Sequence, residues 1–187
     1  MIEVRFHGRG GQGAVTAARL LAVAAFKEGK NVQSFPMFGI ERRGAPVMAF
    51  LRMDDKQIRI RSQVYEPDAI VVLDDKLIKA VNVCEGLKSG GMGVINTKRK
   101  PSEIGSKDIK MATVDATSIA VKHGLGSKAA PIVNTAILGA YARAAEEFGI
   151  GKIGIDSIVK AIMESVPSKP NENADAAKEA YEKSIFA

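Results

Sequence analysis

With 187 residues, 46% hydrophobic and 26% charged, the chain has the make-up of a globular domain able to bury roughly 70% of its unfolded surface. One cysteine, Cys84, and two histidines, His7 and His123, exclude an internal disulfide, an iron–sulfur cluster ligated by this chain alone and the usual histidine-based metal sets. A net charge of +6 suits an anionic ligand or an acidic partner, while an aromatic content of 5% argues against a base-stacking nucleic-acid surface.

No apolar run approaches the about 18 residues of a membrane span, since Ala17–Phe26 is interrupted by Arg19. The N-terminus enters a strand pattern directly, without the features of a signal peptide. The expectation is a single soluble, cytoplasmic domain over residues 1–187 that binds neither membrane nor nucleic acid.

Ile2–Phe6 reads as a first strand and leads into His7-Gly8-Arg9-Gly10-Gly11-Gln12-Gly13. A long alanine-rich helix follows, with Gly29 in the left-handed position that closes it. Without Cβ atoms the glycines let the backbone turn sharply and bring N–H groups to a ligand at the helix N-terminus, where negative charge is favoured. Gly8-x-Gly10-x-x-Gly13 also matches the dinucleotide fingerprint in its strand-then-helix setting. The second strand, within Lys30–Pro36, ends without the acidic residue that would hold a nicotinamide ribose. A tight packing turn with no ligand therefore stays open beside a phosphate site.

Phe35–Pro46 is a loop by its Pro and Gly content. Glu41, Arg42 and Arg43 sit there among Phe38, Gly39 and Gly44. Arginines recognise phosphate or carboxylate with two parallel hydrogen bonds, and Glu41 could orient one of them; a solvated surface is the alternative. Val47–Met53 and Gln57–Arg61 read as a hairpin around Asp54-Asp55-Lys56, with Arg52, Arg59 and Arg61 on a solvated or partner-facing side.

Ala69–Leu73 is an unbroken apolar run, as in a central parallel strand. Asp74 and Asp75 at its end could bind Mg²⁺ or cap a helix over Lys76–Asn82. A further strand runs from the Gly90 turn to Asn96, and Lys98–Lys110 is an exposed connection. Lys110–Val114 is the last strand, and Asp115 caps a helix ending at Gly124. A helix over Ile132–Phe148 has Asn134 and Thr135 in its first turn, and close backbone packing accounts for Gly139 in its interior. Asp156 caps the next helix, which Pro167 stops. After a Pro167–Asn171 linker, a final helix within residues 171–187 aligns Ala174, Ala177, Tyr181 and Ile185. That stripe docks on its own domain or reaches a partner subunit.

This order describes an α/β protein: a three-layer α/β/α arrangement around a mixed central sheet, with a Rossmann-like glycine turn after the first strand. The segments Phe6–Gly13 and Phe38–Pro46, with Asn134-Thr135 and Leu138-Gly139, resemble the gamma subunit of 2-oxoacid:ferredoxin oxidoreductases, most closely that of pyruvate:ferredoxin oxidoreductase (pyruvate synthase). The resemblance covers nearly the whole chain. It implies an oxidative decarboxylation in which a 2-oxoacid, coenzyme A and oxidised ferredoxin give acyl-coenzyme A, CO₂ and reduced ferredoxin. Thiamine diphosphate with Mg is implied on alpha and beta subunits, and iron–sulfur clusters on beta and delta subunits. No residue of this chain is then catalytic. Its expected part is to shape the site and help hold coenzyme A, through Gly8, Arg9, Gly10, Gly11, Gln12, Gly13, Phe38, Gly39, Glu41, Arg42, Arg43, Gly44 and Asn134. Two other readings compete with it: a purely structural assembly subunit and a free-standing nucleotide-binding protein.

Overall fold

A computed structural model of the chain describes residues 1–37, 44–104 and 108–187. Seven strands form one sheet: β1 (Ile2–Arg9), β2 (Asn31–Pro36), β3 (Pro46–Asp54), β4 (Ala69–Val72), β5 (Met92–Asn96), β6 (Lys110–Val114) and β7 (Ile185–Phe186), in the order β2-β3-β1-β4-β5-β6-β7. β1, β4, β5 and β6 run parallel, whereas β3 is antiparallel to both β1 and β2, and β7 is antiparallel to β6. The sheet is mixed, as the sequence reading expected.

The antiparallel pairing of β3 is not the expected one. β1 occupies one edge of β3 from Ile2↔Met53 to Arg9↔Pro46, and β2 occupies the other from Asn31↔Asp54 to Pro36↔Ala49. A strand offers only two hydrogen-bonding edges, so none remains for Gln57–Arg61. That segment is not a strand; Arg59 and Arg61 are exposed, and the hairpin partner of β3 is β2. Arg52 is also displaced from its expected solvated place. It is 1% exposed and held under the chain leading to β4.

Among the described residues six α-helices complete the fold: α1 (Ala14–Lys27), α2 (Leu77–Ala80), α3 (Ala116–Lys122), α4 (Ala136–Phe148), α5 (Ile155–Ser165) and α6 (Pro170–Lys183). α1 packs on β1, β2 and β3, α4 packs on β5 and β6, and α5 and α6 ride on those two helices. This side buries one continuous core from Val4 and Phe6 across Val71 and Val94 to Ile137 and Ile162. The opposite face has a smaller cluster, Ile70, Val72, Ile95 and Met111 under Leu77 and Val83. It is covered by the single turn of α2 and irregular chain, so the third layer is largely non-helical.

Several boundaries shift for local reasons. Gly29 closes α1 with φ 83 as expected. α2 spans Leu77–Ala80, inside the expected Lys76–Asn82. Val133, Asn134 and Thr135 precede α4 rather than form its first turn. Gly154 is the N-cap of α5, with Asp156 inside its first turn. α6 begins at Pro170, a residue suited to a first helical turn, inside the expected linker. It ends at Lys183; Ile185, expected on its stripe, pairs instead with Thr113 as part of β7.

On the less helical face of β1, Arg5 donates from Nε to Nε2 of His7 at 3.0 Å. Its Nη2 donates to the carbonyls of both Val83 and Glu85. His7 is 4% exposed. Burial first, and the charge of Arg5 second, hold its pKa at about 3 against an ordinary 6.5. The ring is neutral in the fold, so its stabilisation is complete above pH 6.5 and falls as the unfolded chain takes up a proton the folded one refuses. Between pH 6.5 and 5 this costs about 2 kcal/mol, at about 1.4 kcal/mol per unit. Denaturant unfolding should show a shallower loss over that interval for His7→Gln; equal slopes would remove His7 as the source.

Candidate functional site: a charged cleft at the strand ends

Because β1, β4, β5 and β6 are parallel, their C-terminal ends meet at one edge of the sheet, where open α/β sheets place ligands. A cleft of about 700 Å³ opens there between the glycine loop, Asp74–Lys76, Asn96–Arg99 and residues 129–133. Asn96 fixes its floor. Its Nδ2 donates to Leu73 O at 2.9 Å and Thr117 Oγ1 at 3.0 Å, and its Oδ1 accepts from Thr117 N at 3.2 Å.

The structure brings Gly8, Arg9, Gly10, Gly11, Gln12, Gly13 and Gly44 together. Gly10 N donates to Ala45 O at 2.9 Å and Gly44 N to Gly10 O at 3.2 Å, so the two loops are zipped at their base. Gln12 N donates to Arg9 O at 2.9 Å, and Arg9 N donates to Gln12 Oε1 at 2.8 Å. Three amides of the loop are therefore used internally. Among the described residues, those of Gly11 and Gly13 have no internal acceptor. Both glycines are left-handed, with φ 95 and φ 80. At Gly13 a methyl group would lie 2.5 Å from Asn134 Nδ2, so both conformation and space demand glycine; at Gly11 the space is open.

Asn134 supports the loop from behind instead of facing the cleft. It lines a separate cavity of about 360 Å³ with Thr16, Lys169 and Asn173. It is 8% exposed, and its Oδ1 has no partner among the described residues. Phe38, Gly39, Glu41, Arg42 and Arg43 lie outside the described residues.

Charge in the cleft is organised by two aspartates. Asp74 Oδ2 accepts from Arg9 Nε at 3.0 Å and Gln12 Nε2 at 3.3 Å, and its Oδ1 accepts from Lys76 N at 3.0 Å. Burial alone would raise the Asp74 pKa, but these donors outweigh it and hold the carboxyl below its ordinary range. Both oxygens are engaged by protein donors, which is the chemistry of a buttress for Arg9 and not of an open metal ligand. Arg9 also donates from Nη1 to Gly44 O at 3.2 Å, tying the two loops together. Asp75 Oδ2 accepts from Thr97 Oγ1 at 2.8 Å and lies 3.6 Å from Arg99 Nη2. Lys98 Nζ lies 3.8 Å from Asp115 Oδ2.

Sequence reasoning missed Lys76, Thr97, Lys98 and Arg99 as cleft residues. The signal was present: Lys98-Arg99-Lys100 directly follows a strand pattern ending at Asn96, where the strand-end rule that singled out Asp74 and Asp75 applies equally.

Comparison with known proteins matches the family model for pyruvate ferredoxin/flavodoxin oxidoreductase over residues 3–183. The pyruvate/ketoisovalerate oxidoreductases common subunit gamma of Pyrococcus furiosus is 56% identical over 188 residues, spanning 98% of this chain and 97% of that one. Pyruvate synthase subunit PorC of Methanothermobacter thermautotrophicus is 54% identical over 183 residues, spanning 97% and 95%. Among solved structures, pyruvate oxidoreductase subunit PORC of Thermotoga maritima superposes with a TM-score of 0.82 at 33% identity, covering 100% of this chain and 98% of that one. The fold also recurs in 30% of a longer chain of the Magnetococcus marinus 2-oxoglutarate:ferredoxin oxidoreductase, solved with 2-oxoglutarate, coenzyme A and succinyl-CoA bound; the TM-score is 0.67 over 97% of this chain, at 17% identity.

Proposed function

The chain belongs to the pyruvate ferredoxin/flavodoxin oxidoreductase family, as a gamma subunit, and from that premise we propose that its strand-end cleft receives the phosphates of coenzyme A during 2-oxoacid oxidation. The observation that carries this reading is the meeting of the Gly11 amide, which has no acceptor among the described residues, with the buttressed guanidinium of Arg9 at the edge of an open cleft. Amides at a helix N-terminus and a fixed guanidinium are complementary to a diphosphate. Arg42 and Arg43, which directly precede Gly44 in the sequence, add two further cations to this reading.

Carbanion chemistry and electron transfer fall to the partner subunits. Thiamine diphosphate supplies the electron sink there, and clusters pass electrons to ferredoxin. On this chain only Cys84 could offer a thiolate, and among the described residues no group of three or more metal-binding side chains occurs. No helix of the described residues is long and apolar enough to cross a membrane. The partners are the alpha, beta and delta subunits. The 2-oxoacid is pyruvate or a branched-chain homologue, which Glu41-Arg42-Arg43-Gly44-Ala45-Pro46 and the names of the relatives favour over 2-oxoglutarate.

Replacing Arg9 by alanine in the assembled enzyme should raise the Michaelis constant for coenzyme A about tenfold, the loss of one charge-assisted hydrogen bond of about 1.5 kcal/mol. The paired Arg42→Ala, Arg43→Ala variant should act in the same direction. Unchanged constants, with unchanged coenzyme A affinity in isothermal titration of the whole complex, would leave the second reading: a subunit of assembly only. What favours that reading is the internal use of the Arg9, Gly10 and Gln12 amides.

A further inference from the structure

Resting on the coenzyme A reading of the cleft, we infer that the turn after β5 recognises the ribose 3′-phosphate through Lys98 and Arg99, and so sets the preference for coenzyme A over its dephosphorylated form. β5 stands two places from β1 in the sheet. At the usual strand spacing their ends lie about 10 Å apart. That is the kind of distance a nucleotide spans when its diphosphate is at the glycine loop and the phosphate on its sugar is further along the cleft, given the reach of two long cationic side chains.

The cations at the two ends of the cleft are held differently. Arg9 is committed by hydrogen bonds to Asp74 and Gly44. Lys98 and Arg99 face Asp115 and Asp75 only at 3.8 Å and 3.6 Å. Those separations exceed hydrogen-bond length, so the carboxylates bias the direction of each cation without consuming its donors. Side chains 78% exposed at Lys98 and 40% exposed at Arg99 are able to swing onto an arriving dianion. The backbone that carries them is fixed. Thr97 Oγ1 donates to Asp75 at 2.8 Å while accepting from Arg99 N at 3.2 Å, and Thr97 itself is buried. A rigid turn with two loosely held cations fits a phosphate monoester, which carries more charge per group than a bridging diphosphate and gains most from additional donors.

The test compares coenzyme A with 3′-dephospho-coenzyme A as acyl acceptors for the assembled enzyme, in the parent and in a Lys98→Ala, Arg99→Ala variant. The parent should prefer coenzyme A by tenfold or more in kcat/KM. The variant should lose that preference to within about twofold, because it weakens coenzyme A and leaves the dephosphorylated form nearly as before. An equal fall for both acceptors, or an undiminished preference, would overturn the assignment. Loss of co-purification with the partner chains at unchanged preference would also overturn it, by giving the turn to assembly. Arg9→Ala separates the two levels of inference. If it weakens both acceptors alike while the Lys98, Arg99 variant changes no preference, the cleft still binds coenzyme A and only the 3′-phosphate assignment falls.

Discussion

A Gly139→Ala chain should unfold at a temperature roughly 6–12 °C below the parent, as expected for a loss of about 3 kcal/mol in a domain of this size. A methyl group at Gly139 would lie 1.8 Å from Ala177 O and 2.6 Å from its carbonyl carbon. Both are backbone atoms of α6, so no side-chain rotation relieves the overlap. α4 and α6 must move apart, and the alanines that let them approach, Ala136 and Ala140 on one side and Ala174, Ala177 and Ala180 on the other, lose contact together. On an isolated helix the same exchange would be favourable by about 1 kcal/mol. Overpacking against a fixed backbone exceeds that gain. Calorimetry of the purified chain decides it: a midpoint within about 2 °C of the parent would mean that the two helices are not held this closely.

The same helix pair matters to the site. Thr135, at the start of α4, donates to Asn173 Oδ1 at 2.7 Å, and Asn173 Nδ2 returns to Lys169 O at 2.8 Å. The residue before Thr135 is Asn134, which lies against Gly13. Position of the glycine loop is thus set from behind by how α4 and α6 pack, while its front is set by Asp74 and Gly44.

Local chemistry made much of this legible in the sequence. The glycine run between a strand and an alanine-rich helix, the left-handed Gly29, the apolar Ala69–Leu73 run and the Asp115 cap, which accepts from Ser118 N at 2.9 Å, each depend on neighbours in the chain. The errors arose where a partner lies far away. Alternation in Gln57–Arg61 suggested a strand, but alternation does not reveal that β1 and β2 already occupy both edges of β3. Ile185 continued a helical stripe until pairing with Thr113 drew it into the sheet. Lys98 and Arg99 read as an exposed connection, and both are solvent-accessible; their place on the cleft follows from the end of β5 lying beside those of β1, β4 and β6, a strand-end position the sequence reading used for Asp74 and Asp75 alone. Asn134 entered through the family resemblance, and its packing against Gly13 is a contact between distant segments that the sequence does not display.

Arg52→Met should be the most damaging single change on the less helical face, at roughly 3–5 kcal/mol, the range for removing one partner of a buried ion pair. Arg52 donates from Nε to Glu3 Oε1 at 2.7 Å, from Nη1 to Gln33 Oε1 at 3.0 Å and from Nη2 to Gln63 O at 3.1 Å. Its guanidinium carbon also lies 5.4 Å from the centre of the Phe35 ring. One side chain thereby joins β1, β2, β3 and the chain leading to β4. Methionine fills much of the volume but leaves Glu3, with a side chain 14% exposed, as an uncompensated carboxylate, and leaves two further acceptors without a donor. A Glu3→Leu change in the same background should recover a substantial part of the loss by removing the stranded charge, even though the two acceptors remain unpaired. The signature is accordingly non-additive: denaturant unfolding of the two single variants and the double should give a coupling of about 1–3 kcal/mol. Additive losses would show that Glu3 and Arg52 do not depend on one another, and that Arg52 is held by the amide, the carbonyl and the ring alone.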